Sequence, residues 1–290
     1  MATKQLTLPG ELVKKSNEFV RSRLKLDSAT AGKIFTSIIA CIRSEDKDFK
    51  DYQIPASALF QPGDKGGRSY SLIRKALKTI TSYVVEMDLS EGAEPDYVMY
   101  PLFAKALYKN GIITAQVHPD LKPHFINLAK FTQYNLLDYL VLSSTYSQRL
   151  FEILNSYEKT CPAVNVSLDQ LHFMLDTTES LKQDFAQFRR RVLEQAHKEI
   201  TQKTRLKYEW IPIKQGRTVV SIHFIFSKKA LEERKKEEQQ KCSQQQRKYI
   251  KPALDCAKEM RQDFVEGKCP KEKKKTIKCR MCKSMGYFLV

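Results

Sequence analysis

One series of elements is written into this chain twice. Residues 27–44 read as an amphipathic helix. Ala31, Ile34, Phe35, Ile38, Ile39 and Ile42 recur at the spacing of one helix face, and Asp27 or Ser28 is placed to cap it. YQIPASALF follows at 52–60 as a short apolar piece with a turn-like Pro and Ser. QPGDKGG at 61–67 then breaks the chain, because Pro and clustered Gly punctuate structure. A basic helix is expected over Arg68–Met87, with Leu72, Ile73, Ala76, Leu77 and Ile80 on its apolar face and Arg68, Arg74, Lys75 and Lys78 on the other. The stretch YVMYPLFAKALYKNGIITAQVHP at 97–119 reads as strands around a Lys109-Asn110-Gly111 turn, since Asn-Gly between apolar runs is a strong hairpin signal.

The series restarts near Phe131. Residues 135–159 read as one helix, with Leu136, Leu140, Tyr146, Leu150, Ile153 and Leu154 apolar. VNVSLDQLHFML at 164–175 is a short strand and a helix that Ser167 can cap. A long basic helix is expected from Leu181 to Lys203. RLKYEWIPIKQGRTVVSIHFIF at 205–226 then reads as a hairpin: Tyr208, Trp210, Ile211 and Ile213 lead to a Gln215-Gly216 turn, and Val220, Ile222, Phe224 and Phe226 alternate after it. IPASALF at 54–60 thus answers VSLDQLHFML at 166–175, a repeat of architecture rather than of identical residues.

Helix-turn-helix followed by a β-hairpin is the winged-helix order, in which the second helix of the pair enters the DNA major groove. The expected fold is therefore α+β: two tandem winged-helix domains with a basic C-terminal tail. The first domain is placed at 1–130 and the second at 131–229. The tail, 230–290, is rich in Lys, Glu and Gln and reads as helical or partly disordered.

The formal net charge of +17 points to a polyanionic partner, nucleic acid first and an anionic membrane surface as its rival. No apolar run approaches the roughly 18–20 residues that cross a bilayer. The opening MATKQLTLPGELVKKSNEF carries no apolar core of a secretory signal, so a cytosolic protein is expected. The seven cysteines do not form the even-numbered frame of a secreted disulfide protein; Cys41 lies in an apolar helical stretch and reads as core.

The strongest candidate site is the second basic helix. Arg189, Arg190 and Arg191 are consecutive, with Lys182, Gln183, Lys198 and Lys203 around them. Three consecutive residues span about 200° of a helix, so one or two of the arginines are expected to read bases and the others to reach phosphates. The first basic helix supplies Arg68, Ser69, Ser71, Arg74, Lys75 and Lys78, with hydroxyls near its start suited to phosphate. The hairpins carry Lys105 and Lys109 in the first unit and Lys214 and Arg217 in the second.

Catalytic signatures are missing. The five histidines form no His-x-His or His-Glu-x-x-His, GDKGG at 63–67 lacks the Gly-Lys-Ser/Thr of a phosphate loop, and Asp46 and Asp48 have no further carboxylates with them. Neither an enzyme nor a cofactor is expected. Cys279 and Cys282 could supply half of a zinc site, but only Cys256 and Cys269 remain nearby, at loose spacing, so no metal is assigned.

Beyond the generic pattern, the chain resembles the iteron-binding plasmid replication initiators, the Rep proteins with two winged helices. LVKKSNEFVRSRLKLDSATAGKIFTSIIACI, at 12–42, looks like that family's opening, and GRSYSLIRKALKTI, at 67–80, like its first basic helix. Ser144, Tyr146, Arg149 and Leu150 match the Ser-x-Tyr-x-x-Arg-Leu pattern that leads into its second domain. FRRRVLEQAHKEI with the 205–226 hairpin matches the second basic helix and wing, and Phe151 stands where a Tyr is common. The resemblance covers residues 12–229 and implies a function. Such initiators bind tandem origin repeats as monomers, help open AT-rich DNA and recruit the host initiator and replicative helicase; their dimers repress their own gene. It also implies base readout through Gln187, Arg189, Arg190 and Arg191 and a phosphate clamp through Arg68, Ser69, Ser71, Arg74 and Lys78. The alternative is a winged-helix transcriptional regulator that binds a single operator.

Overall fold

The computed structural model describes residues 12–24, 27–43, 45–59, 66–88 and 96–226. The described residues begin with a strand, β1 (Leu12–Ser16), and one turn of helix, α1 (Asn17–Arg21). Ser16 makes the transition: its Oγ accepts the Phe19 N–H at 3.0 Å, satisfying a donor that a helix start leaves unpaired. α2 (Ala29–Ile39) is the amphipathic helix read from the sequence, with Ser28 at its N-cap and Ile34, Phe35, Ile38 and Ile39 buried. YQIPASALF becomes β2 (Tyr52–Pro55) and a 3-10 turn over Ala56–Leu59.

The first basic helix, α3 (Gly66–Thr81), stops short of Met87. Thr81 and Ser82 turn their hydroxyls back onto the carbonyls of Leu77 and Lys78, and the aromatic and β-branched Tyr83, Val84 and Val85 favour strand over helix. Val84–Asp88 is β3, paired antiparallel with β4 (Tyr97–Pro101). Within α3 the buried stripe is Ile73, Ala76 and Ile80; Leu72, one residue off that stripe, is 45% exposed. β5 (Phe103–Lys109) and β6 (Ile112–Val117) form the first hairpin. Its turn residues Asn110 and Gly111 sit at φ 52° and 76°, the left-handed pair that a two-residue hairpin loop requires.

The second half opens as the first did, with a strand, β7 (Phe131–Asn135), and one turn of helix, α4 (Leu136–Leu140); Asn135 caps it by accepting the Leu137 N–H at 2.9 Å. β7 pairs antiparallel with β1, Val13 opposite Tyr134. The expected single helix over 135–159 is therefore two: after a break at 141–144, Ser144 caps α5 (Thr145–Glu158). β8 (Ala163–Ser167) and α6 (Leu168–Leu175) follow, with Ser167 accepting the Gln170 N–H as expected. The long basic helix is also interrupted. α7 (Glu179–Gln183) ends at Asp184, whose backbone is extended, and Asp184 then caps a new helix by accepting the Gln187 N–H at 3.0 Å. That helix runs through α8 (Phe185–Phe188), a π-helical segment at Arg189–Glu194 and α9 (Gln195–Lys203). The second hairpin is β9 (Glu209–Gln215) and β10 (Thr218–Ile225); Gln215 pairs with Thr218, so the turn centres on Gly216-Arg217, one residue later than the sequence reading placed it.

The two sheets have the same topology. β6 lies between β2 and β5, and β10 lies between β8 and β9, giving orders β2-β6-β5 and β8-β10-β9. This α+β pattern is two winged helices, each with helix, strand, short helix, basic helix and wing. One hydrophobic core serves both, running from Val13 and Phe35 to Leu193 and Phe224.

Inside it lies a buried ionic group. Lys15 of β1 pairs with Glu152 of α5, and Arg149 reaches the other Glu152 oxygen at 3.2 Å. Tyr134 donates its hydroxyl to Glu152. Arg149 also donates to the Met174 carbonyl at 3.1 Å and to the Ser22 carbonyl. The three charged side chains are 1–4% exposed. Burial alone would raise the Glu152 carboxyl, but the charges of Lys15 and Arg149 outweigh it and hold the group below its usual range. Arg149, matched in sequence to a family pattern, is thus a bracket between α5, the loop after α1 and the end of α6.

A second buried carboxylate ties α9 to the start of α5. Glu199 accepts from Ser143 N–H at 2.7 Å, Ser143 Oγ at 2.6 Å and Lys203 Nζ at 2.9 Å. Burial pushes its carboxyl up, but these donors prevail and bring it from 4.5 down to about 2. A carboxylate lowered in the folded state stabilises fully above its unfolded value, and that contribution is lost as pH falls from about 4.5 through about 2. Glu199→Gln should cost about 1–3 kcal/mol at neutral pH. Urea unfolding of both proteins down to pH 2.5 should show the gap closing with acid; a gap independent of pH would contradict the assignment.

Candidate nucleic-acid interface

Helical periodicity decides which side chains of the 185–203 helix face outward. Phe188, Val192, Leu193, Ala196, Glu199 and Ile200 are buried, and Arg189, Arg190, Arg191, Glu194 and Lys198 are exposed. The three arginines share the solvent side but not one direction. Arg189 is turned toward the wing: its guanidinium lies 6.0 Å from the Trp210 ring on β9, and its Nε donates to Glu194 at 2.7 Å. Arg190 and Arg191 precede Lys198 along the outward surface.

Gln187 is engaged at the helix start, where its backbone N–H and then its side chain bond Asp184 and hold that carboxyl below 3.8. The helix dipole adds to this preference for negative charge at the N-terminus. Lys182 and Gln183 are exposed on α7, across the Asp184 break from the arginines, and Lys182 pairs with Glu179 at 3.4 Å. The wing brings up Lys214 near the end of β9 and Arg217 in the turn, both exposed. His197, behind this surface, bonds the Tyr208 carbonyl at 3.0 Å and fixes α9 against the base of the hairpin.

The first unit repeats the arrangement. Ser71, Arg74, Lys75 and Lys78 are exposed on α3, while Arg68 and Ser69 lie in its first turn, where side chains are not described. Tyr70 is 59% exposed and meets Tyr108 of β5 edge-on, with centroids 5.1 Å apart, linking α3 to the wing. Lys109 is exposed at the hairpin tip, and Lys105 pairs with Asp51 at 3.6 Å. Each unit therefore presents an exposed basic helix with a hairpin beside it, the shape that places a helix in a groove and a wing along the backbone.

Sequence reasoning missed Glu194 and Trp210. The signal available was their spacing from Arg189, which becomes a contact only once the π-helical turn and the hairpin are known. Among the described residues, no group of three or more His, Cys, Asp or Glu could hold a metal, and no helix is long and apolar enough to cross a membrane. Cys256, Cys269, Cys279 and Cys282, with the rest of the 230–290 tail, fall outside the described residues.

Two family models match the chain. Residues 12–155 match one described as "Initiator Replication protein, WH1", and residues 167–226 match one described as "Initiator Rep protein, WH2". The first match takes in most of α5, the helix to which β1 is bound through Glu152. Solved structures that resemble the chain include domains 2 and 3 of RctB as selenomethionine derivatives, at 12% identity and TM-score 0.38, covering 74% of this chain and 90% of that one. A second RctB structure, of domains 2–3, gives 12% identity and TM-score 0.37, covering 70% of this chain and 82% of that one.

Proposed function

The chain belongs to the initiator replication protein family, a DNA-binding family of two winged helices, and from that membership we propose that it is an iteron-binding plasmid replication initiator. It binds double-stranded DNA at tandem origin repeats, one chain per repeat, with one basic helix of each unit in successive major grooves. The second unit reads bases, chiefly through Arg190 and Arg191, with Lys198, Lys214 and Arg217 on phosphates. The first unit clamps phosphates through Arg68, Ser69, Ser71, Arg74, Lys75, Lys78 and Lys109.

The observation that carries this reading is the duplication itself: two exposed basic helices, each beside its own hairpin, on one continuous core. Distortion of an easily melted neighbouring sequence, supported by binding energy, would then expose DNA for the host initiator and replicative helicase. In this reading a dimer represses the chain's own gene at an inverted repeat. Mobility shifts on DNA carrying one, two or three copies of the repeat test it. A ladder gaining one chain per added copy is the expected result. A single complex formed only on an inverted repeat would instead make the protein an operator-binding regulator.

A further inference from the structure

The outward surface of the 185–203 helix carries one feature that a phosphate-binding surface does not need. The helix has five basic residues and two carboxylates. Glu199 is buried and committed to Ser143 and Lys203. Glu194 is the other, and its side chain is 45% exposed on a helix whose Arg190, Arg191 and Lys198 are also exposed. Against a polyanion, a carboxylate in that position weakens every nearby phosphate contact.

Glu194 is also held in place. In an α-helix, residues five apart point roughly 140° away from each other. The π-helical turn over Arg189–Glu194 closes that gap, because its hydrogen bonds join residues five apart. Arg189 Nε thereby donates to Glu194 Oε1 at 2.7 Å. The Arg189 guanidinium is steadied in turn by the Trp210 ring. The wing, through Trp210 and Arg189, therefore fixes where the carboxylate lies. One carboxylate oxygen is taken by Arg189, and the group as a whole retains acceptor capacity, since an ionised carboxylate has about four lone-pair sites.

We propose that Glu194 is a specificity-determining residue that accepts a hydrogen bond from the exocyclic amino group of a cytosine in the major groove, with Arg189 as its positioning residue. The inference rests on the reading of this helix as the base-reading element. Cytosine N4 is the pure donor among major-groove base edges, and an acidic side chain is the acceptor that suits it; guanine and thymine present acceptors there and would be repelled. Glu194 thus weakens binding to DNA at large while favouring a C·G pair at one position.

The test is a double-mutant cycle between protein and DNA. Full-length wild-type and Glu194→Ala proteins are titrated against the chain's own repeat, against repeats with N4-methylcytosine at each cytosine in turn, and against random duplex. N4-methylation fills the major-groove donor position with a methyl group. The wild type should lose about 5- to 100-fold in affinity at one cytosine. Glu194→Ala should lose a similar factor on the unmodified repeat, become insensitive to methylation at that cytosine, and bind random duplex as well as or better than the wild type. Arg189→Ala should reduce the same methylation sensitivity without abolishing repeat binding.

Equal losses by Glu194→Ala on repeat and random DNA, with methylation sensitivity intact, would make the carboxylate a structural strut and overturn the proposal. A wild type that does not prefer the repeat over random duplex would overturn the reading of the helix itself, and the proposal with it.

Discussion

Replacing Glu152 by alanine is expected to destabilise the chain by about 3–5 kcal/mol, because it strands two buried cations without their carboxylate. Lys15 and Arg149 both lean on that carboxylate, and both are almost wholly buried. The matching removal of Lys15 is a different experiment. In Lys15→Met, Glu152 keeps Arg149 at 3.2 Å and the Tyr134 hydroxyl, and the methionine is an apolar chain of similar length beside the Phe35 and Tyr139 rings that the Lys15 ammonium now faces. That substitution should cost about 2 kcal/mol or less. Urea unfolding of the two variants, with Glu152→Gln as a shape-conserving control, gives the ordering. A Lys15→Met cost equal to or above that of Glu152→Ala would contradict the account, since it would place the stabilising charge on the lysine alone. The consequence reaches DNA binding, because β1 and α5 join the two units through this group. A chain that loses it should lose affinity for DNA sites that need both units.

Arg190→Ala should weaken binding to the repeat by about 1–3 kcal/mol, roughly 5- to 150-fold, and binding to random DNA by much less. Arg190 lies on the exposed side of the 185–203 helix, whereas Arg189 is turned toward the Trp210 ring of the wing and bonds Glu194. A base contact is lost only where that base is present, whereas a lost phosphate contact lowers all binding and reduces the salt slope by about one counterion. Fluorescence anisotropy on both DNAs across a salt series separates these. Equal losses on repeat and random DNA would reassign Arg190 to phosphate.

The features readable in the sequence were those set by local chemistry. Asn110-Gly111 fixed the first hairpin because few other residue pairs adopt two left-handed conformations without strain. Ser167 marked a helix start, and the stripe Ile34, Phe35, Ile38 and Ile39 marked a buried face. The interruptions at 141–144 and at Asp184 were hidden because the apolar periodicity runs on through them; a Ser or Asp that caps looks in sequence like one on a helix surface. β1 and β7 were missed for another reason. Each is short, they are far apart in the chain, and Lys15 places a charge where a buried strand position would be expected to be apolar. Nothing in the sequence joins Lys15 to Glu152 and Arg149; the fold brings the three together.

The candidate interface follows the same division. Runs of Arg and Lys announced the two basic helices, but the direction of each side chain depends on contacts made by distant residues. Arg189 leaves the group of equivalent arginines because Trp210 stands beside it on the hairpin and Glu194 bonds it across the π-helical turn. Lys182 and Gln183 separate from the arginines only because Asp184 stops one helix and starts another.

The account is tested most directly by a nuclease footprint of the full-length protein on the DNA flanking its own gene, at a low and a near-physiological salt concentration. Regularly spaced protection over direct repeats, surviving the higher salt, is the predicted result, because base contacts persist where counterion release alone fades. Protection of a lone inverted repeat, or protection that disappears at the higher salt, would contradict it.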